Sequence, residues 1–278
     1  MRASTDLWRV LLNFSGFSFV LTHSPPSVNL VPPNPRPTPF VTVHLWGVST
    51  SRVPQALLQM ATSHLNLRKT RGLNFYKLIG TGSGQTFSPR SADLHHWGLV
   101  ASWADEADAR VFEFGKTVSS WDRCSFERAR FLLRPVATRG TWAGADPFSP
   151  TTGRPPTGQV AAITRARIRP SFLRTFHRSV PPVAASIARA KGVTVRTGIG
   201  EAPIGLQGTF SVWDSNADLV AFARDTEHAH VVEQTNRLDW YSEELFARFD
   251  VLRAEGTFCG SPVDLPRIDQ PLNAGYAP

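Results

Sequence analysis

Alternating apolar and polar positions mark two strand-like segments, one at the start of each half of the chain. The first is FVTVHLWGV, residues 40–48, and the second is QVAAITRARI, residues 159–168. Alternation of this kind is typical of a half-buried β-strand. A helical stretch follows each segment and has a proline near its first turn, Pro54 in one half and Pro170 in the other. Both halves therefore begin with a strand and then a helix.

The similarity continues along both halves. The turn and strand RGLNFYKLIGTG matches KGVTVRTGIGEA, which places Gly72 and Gly192 120 residues apart (192 − 72). A later strand, tryptophan and helix also match, with Trp103 and Trp213 110 residues apart (213 − 103). A closing strand is predicted at 126–135 in one half and at 245–254 in the other. Each half therefore reads strand, helix, strand, strand, helix, strand, which indicates an internal duplication.

This element order is the ferredoxin-like βαββαβ order, and it predicts an α+β protein. An antiparallel sheet with two helices on one face leaves its other apolar face uncovered. A second copy of the unit would cover that face. We therefore expect two tandem ferredoxin-like repeats that form an intrachain dimeric α+β barrel.

Composition along the chain sets the expected domain boundaries. Residues 1–39 hold a short apolar run followed by closely spaced prolines, with neither the length of a spanning helix nor a signal-cleavage site. We expect them to be a disordered extension or to arise from an upstream start codon chosen in error. The repeats are expected at 40–136 and 159–256. A linker rich in Gly, Pro, Ser and Thr is expected at 137–158 and a flexible tail at 257–278.

The overall composition excludes several classes of protein. Hydrophobic residues make up 41% of the 278 residues, which excludes a wholly disordered or fibrous chain. The net charge of +8 favours an anionic partner, but no basic tract is present, so nucleic acid is not expected. The two cysteines, Cys124 and Cys259, lie far apart and argue against a disulfide scaffold or a cysteine metal site. A reducing, cytoplasmic location is expected.

Two histidines are the residues that best suggest chemistry, because familiar hydrolase, nucleotide and zinc motifs are absent from the sequence. His228 and His230 fall in the second predicted helix of the second half. The 110-residue offset places them opposite Val118 and Ser120, so the first half lacks both. Residues two apart on a helix point in different directions, so at most one of them is a metal ligand. Each can also be an ordinary surface or core residue.

Several long strings resemble the spheroidene monooxygenase family of carotenoid oxygenases, over about residues 40–253. They include RGLNFYKLIGTGSGQTFSPRSADLHHWGLVASW, GIGEAPIGLQGTFSVWDS and WYSEELFARF. The resemblance implies a haem-dependent monooxygenase that uses dioxygen and a ferredoxin-type donor to convert an acyclic carotenoid to a hydroxy and then a keto product. It also implies haem b with His228 as the iron ligand and His230 as the fallback.

The resemblance also suggests residues that act around the iron. Gln207, Arg248 and Glu201 are candidates for distal or second-shell groups, although a structural role is equally open for each. Arg248 has an apparent repeat counterpart in Arg130, which favours packing or a salt bridge.

The expected partners follow from the same resemblance. They are an apolar polyene, an acidic ferredoxin and, through the basic surface, the anionic inner face of the cell membrane. Two alternatives are a relative that binds or oxidises another apolar compound and a non-catalytic binding module.

Overall fold

A computed structural model describes residues 39–82, 92–150, 156, 158–173, 175–176, 185–201, 208–224 and 240–264. The strands within these ranges are β1 (Phe40–Gly47), β2 (Leu73–Gly82), β3 (Ala92–Trp103), β4 (Glu127–Gly140), β5 (Val160–Ile168), β6 (Val193–Gly200), β7 (Gly208–Trp213), β8 (Tyr241–Phe258) and β9 (Ser261–Pro262). The α-helices are α1 (Val53–Leu67), α2 (Glu106–Phe112), α3 (Lys116–Asp122) and α4 (Asn216–Ala223). Short 3-10 turns lie at Thr50–Arg52 and Pro170–Phe172.

All the strand pairings are antiparallel, in the order β4-β1-β3-β2-β6-β7-β5-β8-β9. An additional pairing of β4 with β8 joins the two ends of this order, so strands β1 to β8 form a closed ring. The prediction of an α+β, antiparallel fold is confirmed. The ring joins strands of both halves at two places, β2 with β6 and β4 with β8.

Every second residue of each strand points to the inside of the ring, where the main apolar core lies. In β1 these residues are Val41, Val43 and Leu45, all of them buried. Both halves contribute to this core: Phe131 of β4 packs edge-to-face on Phe210 of β7, with ring centroids 5.2 Å apart. The apolar sheet faces of the two halves therefore cover each other.

The other face of the first-half sheet packs against α1, α2 and α3. Its core consists largely of aromatic side chains. Trp46 of β1 stacks on Trp121 of α3 with ring centroids 5.1 Å apart, and Trp103 of β3 contacts Phe112 of α2 at 4.8 Å. Large side chains thus fill the space between sheet and helices in this half.

The same aromatic contact occurs in the second half. There Trp213 of β7 stacks on Phe222 of α4, with ring centroids 5.2 Å apart. Trp213 and Phe222 are the residues that the sequence aligns with Trp103 and Phe112. The match in sequence therefore corresponds to a match in three-dimensional contacts.

Gly72 and Gly192 also have the same role in the two halves. Both adopt positive φ angles, +69° and +76°, at the turn before β2 and before β6. A Cβ atom at either position would meet a carboxylate side chain, Asp108 in one half and Asp218 in the other. Both the turn and the close approach therefore require glycine.

The element boundaries differ from those predicted at two places. Strand β4 continues to Gly140, and Trp142 and Phe148 of the predicted linker are buried in the core inside the ring. Strand β8 ends at Phe258 and is followed by β9, inside the predicted tail. A composition rich in Gly, Pro, Ser and Thr does not show that two aromatic side chains within it are buried. Within these predicted regions, residues 1–38, 151–155, 157 and 265–278 lie outside the described residues.

A histidine held between two carboxylates joins β3, β4 and the turn before β9. His96 Nδ1 lies 2.6 Å from Asp93 Oδ2, and its Nε2 lies 2.7 Å from Glu127 Oε1. Glu127 also accepts hydrogen bonds from the backbone N–H groups of Cys259 and Gly260, each at 3.0 Å. The bond to Asp93 raises the pKa of His96 against the opposing effect of burial, and the bond to Glu127 adds to the rise.

This cluster predicts a loss of stability at neutral to alkaline pH. When a histidine has a higher pKa in the folded protein than in the unfolded chain, it contributes its full stabilisation at pH values below the pKa of the unfolded chain. This contribution is lost as the pH rises through the pKa of the folded protein. We expect the unfolding midpoint of the wild type to fall between about pH 6 and about pH 9. The decrease should be smaller in His96→Gln, which has no imidazole to titrate. Denaturant unfolding at several pH values measures the difference; parallel curves for the two proteins would contradict the prediction.

Candidate functional site

The helix-facing surface of the second-half sheet differs strongly from that of the first half. Trp103 of β3 pairs with Phe40 of β1, and the equivalent Trp213 of β7 pairs with Val160 of β5. Phe40 and Val160 therefore occupy corresponding positions, and the rest of β1 and β5 can be aligned from them. By this register Ala162 of β5 corresponds to Thr42 of β1, Thr164 to His44, and Ala166 to Trp46. On β7, Thr209 takes the position of Leu99 on β3. Small side chains thus replace large ones at three of these four positions.

Exposure follows the change in size. His44 is 1% exposed beneath the first-half helices, whereas Thr164, at the corresponding position, is exposed. Phe176 and Trp240 pack with Ala166 and Ile168 at one end of this surface. The structure therefore has a surface of small side chains on β5 and β7, with aromatic residues at one end. We call Ala162, Thr164, Thr209 and Ser211 the small-residue surface.

Arg248 of β8 lies beside this surface. It pairs in register with Ala162, so its side chain is on the helix-facing side of the sheet. The side chain is buried and donates a hydrogen bond to Asn216 Oδ1, at the start of α4, at 2.7 Å. Burial lowers the pKa of the Arg248 guanidinium from its ordinary value. Arg248 therefore places a positive charge beside the small-residue surface.

The register corrects the predicted counterpart of Arg248. In the first half Leu132, not Arg130, pairs with Thr42, the residue equivalent to Ala162. Arg130 pairs with His44 and so corresponds to Phe246. The similar Ala-Arg-Phe triplets suggested an alignment that is two residues out of register. The second-half sheet therefore has an arginine where the first half has a leucine.

Glu201, predicted as a distal or structural group, lies in an ion cluster at one end of the ring of strands. Its carboxylate accepts hydrogen bonds from Lys77 at 2.5 Å, from Trp142 Nε1 at 2.6 Å and from Arg165 at 3.1 Å. Trp142 belongs to the core inside the ring, and Arg165 follows Ala161 and Ile163 at alternate inward positions of β5. Glu201 therefore links the two halves at one end of the ring and contacts no residue of the small-residue surface among these partners.

Glu243 of β8 completes this ion cluster, which the sequence interpretation missed. It pairs with Arg165 and accepts hydrogen bonds from the Gly144 N–H at 2.7 Å and from Thr141 Oγ1 at 3.2 Å. Burial opposes ionisation, but the Gly144 bond and Arg165 hold the pKa of Glu243 below its usual range. The sequence did contain a signal for this buried ion pair, because Arg165 occupies an inward position of β5 at which β1 has Leu45.

His228, His230 and Gln207 lie outside the described residues, so their predicted roles stay predictions. Among the residues that the structure describes, no group of three or more His, Cys, Asp or Glu side chains could hold a metal ion. Within the same ranges, no helix is both long and apolar enough to cross a membrane.

Comparison with known proteins adds the family. No family model matches the chain. A spheroidene monooxygenase of Rhodobacter capsulatus is 36% identical over 217 residues, which are 76% of this chain and 89% of the relative. A spheroidene monooxygenase of Rubrivivax gelatinosus is 37% identical over 191 residues, covering 68% of this chain and 73% of the relative.

Among solved structures, an aldoxime dehydratase in complex with butyraldoxime aligns with a TM-score of 0.52. It is 12% identical, and the alignment covers 78% of this chain and 80% of the dehydratase. That likeness shows a shared fold, while the sequence similarity to the two monooxygenases identifies the relatives. The chain therefore belongs to the spheroidene monooxygenase family and is an oxygenase.

Proposed function

We propose that the protein is a haem-dependent monooxygenase that oxidises an acyclic carotenoid, with haem bound at the small-residue surface of the second half. The observation that carries the proposal is the replacement of buried His44 by exposed Thr164 at equivalent sheet positions. We take the ring of strands to be an intrachain dimeric barrel of two ferredoxin-like repeats. Among the described residues, the helix-facing side of the second-half sheet has the smaller side chains, which would leave space there for a large planar group.

The described residues fit haem b in shape and in charge. A porphyrin is a flat apolar ring with two carboxylate side chains, so its site needs an apolar slot and a cation. Ala162, Phe176 and Trp240 would supply apolar contacts, and the short side chains of Thr164 and Thr209 would leave space beside them. The guanidinium of Arg248, held at the start of α4 by Asn216, supplies a cation suited to a carboxylate. In this arrangement Arg248 would bind a haem carboxylate and orient the cofactor.

The repeat favours His228 over His230 as the iron ligand. His228 aligns with Val118 of α3, which is fully buried in the helix-side core of the first half. His230 aligns with Ser120, which is only half-buried and accepts a hydrogen bond from Arg123. By this alignment, His228 rather than His230 would take the position that faces the sheet. His228 would hold the haem iron, and haem, when bound, would supply the activation of dioxygen.

Gln207 is proposed as a distal group because of its neighbour in the chain. It immediately precedes Gly208, the first residue of β7, which packs so closely on β5 that a Cβ atom would lie 2.7 Å from the Thr164 carbonyl oxygen. Gln207 therefore directly precedes, in the sequence, a residue that lies beside Thr164. A side-chain amide there would donate a hydrogen bond toward the reacting oxygen.

The substrate and the donor follow from the relatives and from charge. The relatives' name specifies spheroidene, and an acyclic carotenoid is proposed for this chain on that basis. The net charge of +8 would suit an acidic ferredoxin as the electron donor.

Absorption spectroscopy combined with product analysis tests the function. Protein expressed with a haem precursor should show a Soret band. With reduced ferredoxin, an acyclic carotenoid and isotopically labelled dioxygen, it should yield a carotenoid that carries the label. A Soret band without carotenoid oxidation would favour oxidation of another apolar compound. Absence of the band would contradict the haem proposal.

Filling the small-residue surface should remove the cofactor without unfolding the protein. Because Thr164 is exposed, Thr164→Trp adds a large side chain without overpacking a core, but the indole would occupy the space proposed for haem. We expect haem affinity to fall by about tenfold or more. Thr164→Ser is the matched control and should keep wild-type affinity. Haem titration measures both variants, and equal affinities would place the cofactor elsewhere.

A further inference from the structure

Helix α1 carries apolar side chains on its outer face as well as on its buried face. Ala56, Ser63 and Leu67 are buried against the rest of the protein. On the opposite side Leu58 is 61% exposed and Leu65 is 67% exposed. Residues seven apart lie on one stripe of a helix, so these two leucines form an outward apolar ridge. None of the 15 residues of α1 is Asp, Glu, Lys or Arg.

A second exposed apolar group lies beside the end of α1. Val111 of α2 is 72% exposed, and Phe114, in the turn before α3, is 89% exposed. Val111 and Lys116 line the same shallow cleft as Asn66 and Arg71, which places this turn next to the carboxyl end of α1. Isolated exposed leucines are common on soluble proteins, but adjoining exposed groups of this size mark interaction surfaces.

Basic residues surround the apolar ones. The sequence RKTR follows α1 directly and provides Arg68, Lys69 and Arg71, all exposed, and Lys116 is exposed across the cleft. Of these, Arg71 approaches a carboxylate, with its Nε 3.6 Å from Asp108 Oδ1. Exposed aliphatic and aromatic side chains with basic residues at their border are the pattern of a protein that lies on an anionic membrane.

The second half carries the charges of this surface without its leucine. By the 120-residue offset of the turn glycines, Arg189 and Lys191 correspond to Lys69 and Arg71, and all four are exposed. Leu65 corresponds to Ala185, which is also exposed. The apolar ridge at this position is therefore particular to the first half, while the positive charge is common to both.

We propose that the outer face of α1 and the adjoining turn, with Leu58, Leu65, Val111 and Phe114 at its centre and Lys69 and Arg71 at its border, bind the surface of an anionic lipid bilayer. The purpose of the contact rests on the proposed function, since a carotenoid is dissolved in membrane. The surface itself is inferred from exposure and charge. An acidic protein would use the basic border, but leucines at the outermost points of the helix are better suited to insertion into a lipid surface.

Co-sedimentation with vesicles tests the proposal without measuring turnover. The probes are vesicles of phosphatidylcholine alone and vesicles with about 30% phosphatidylglycerol. The full chain should bind the anionic vesicles, and Leu58→Ser/Leu65→Ser should lower the partition coefficient by about tenfold. Lys69→Gln/Arg71→Gln should lower it by a similar factor and weaken its dependence on salt. Unfolding midpoints close to the wild type would show that the variants fold.

The second half provides a matched control of equal charge. Arg189→Gln/Lys191→Gln removes the same two charges at the equivalent positions and should leave vesicle binding near the wild-type level. Equal losses for both charge pairs would show non-specific attraction and would overturn the assigned surface. Absence of wild-type binding to anionic vesicles would overturn it as well. A variant of this surface that binds vesicles normally but loses ferredoxin-supported turnover of detergent-solubilised substrate would also overturn the assignment, because the surface would then serve the ferredoxin. These outcomes leave the haem spectrum unaffected, so the two proposals can fail separately.

Discussion

Replacement of His228 by alanine is expected to remove the Soret band and to reduce carotenoid oxidation to the background rate. An imidazole nitrogen is the one protein ligand that the proposal gives to the iron, and alanine cannot replace it. The repeat aligns His228 with Val118, which is buried, so by this alignment alanine would leave space rather than cause a clash. The fold should therefore survive, and circular dichroism and the unfolding midpoint should stay near wild-type values.

His230→Ala is the control for this experiment, because it removes the same side chain two residues away. It should keep the band and most of the activity. Imidazole added to His228→Ala should restore a Soret band by occupying the vacated position, which a merely structural histidine would not allow. Loss of the band in His230→Ala alone would make His230 the ligand. Normal spectra for both variants would contradict histidine ligation from this segment.

Glu243→Ala is expected to lower the free energy of unfolding by about 3 kcal/mol, because removal of one partner of a buried ion pair leaves the other charge without its main compensation. Arg165 has a side-chain exposure of only 9% and depends on Glu243 and Glu201. The change also removes the acceptor of the Gly144 N–H, which anchors the segment that contains Trp142. Denaturant unfolding measures the loss.

The next residue along the strand offers a matched control. Glu244 pairs with Arg139, and both side chains are about a quarter to a third exposed. Glu244→Ala should therefore cost no more than about 1 kcal/mol. The difference in the free energy of unfolding between Glu243→Ala and Glu244→Ala should become smaller at acidic pH. A carboxylate with a lowered folded pKa stabilises the protein above its ordinary pKa, and this contribution is lost as the pH falls through the folded value. Equal losses for both variants at neutral pH would show that the cluster is unimportant.

Much of the fold could be predicted from the order of apolar patterns. The alternation at 40–48 and 159–168 predicted β1 and β5, and the shared tryptophan predicted that Trp103 and Trp213 have equivalent contacts. Local patterns of this kind are set by which face of a strand is buried, and that is recorded in the residue types.

The parts that could not be predicted depend on register and on distant contacts. Arg248 was aligned with Arg130, but sheet pairing aligns it with Leu132. A shift of two residues keeps the same face of a strand, so the hydrophobic pattern cannot detect it. Burial of Trp142 and Phe148 depends on strands of both halves, and nothing within 137–158 indicates it.

The candidate site was only partly visible in the sequence. A comparison of the halves identified His228 and His230 because the first half lacks them. The small-residue surface could not be recognised until the register showed which residue of β5 stands in place of His44. Thr164 attracts no attention in an isolated sequence, because threonine is common in strands.

Pairing of β4 with β8 has a consequence for the chain during its synthesis. The first half leaves the ribosome about a hundred residues before β8 is complete. Until then β4 has a free edge, and apolar residues such as Val41 and Phe131 face water instead of the second sheet. The nascent chain is therefore a substrate for chaperones that shield apolar surface. A protein truncated before β8 should aggregate rather than accumulate as a folded half.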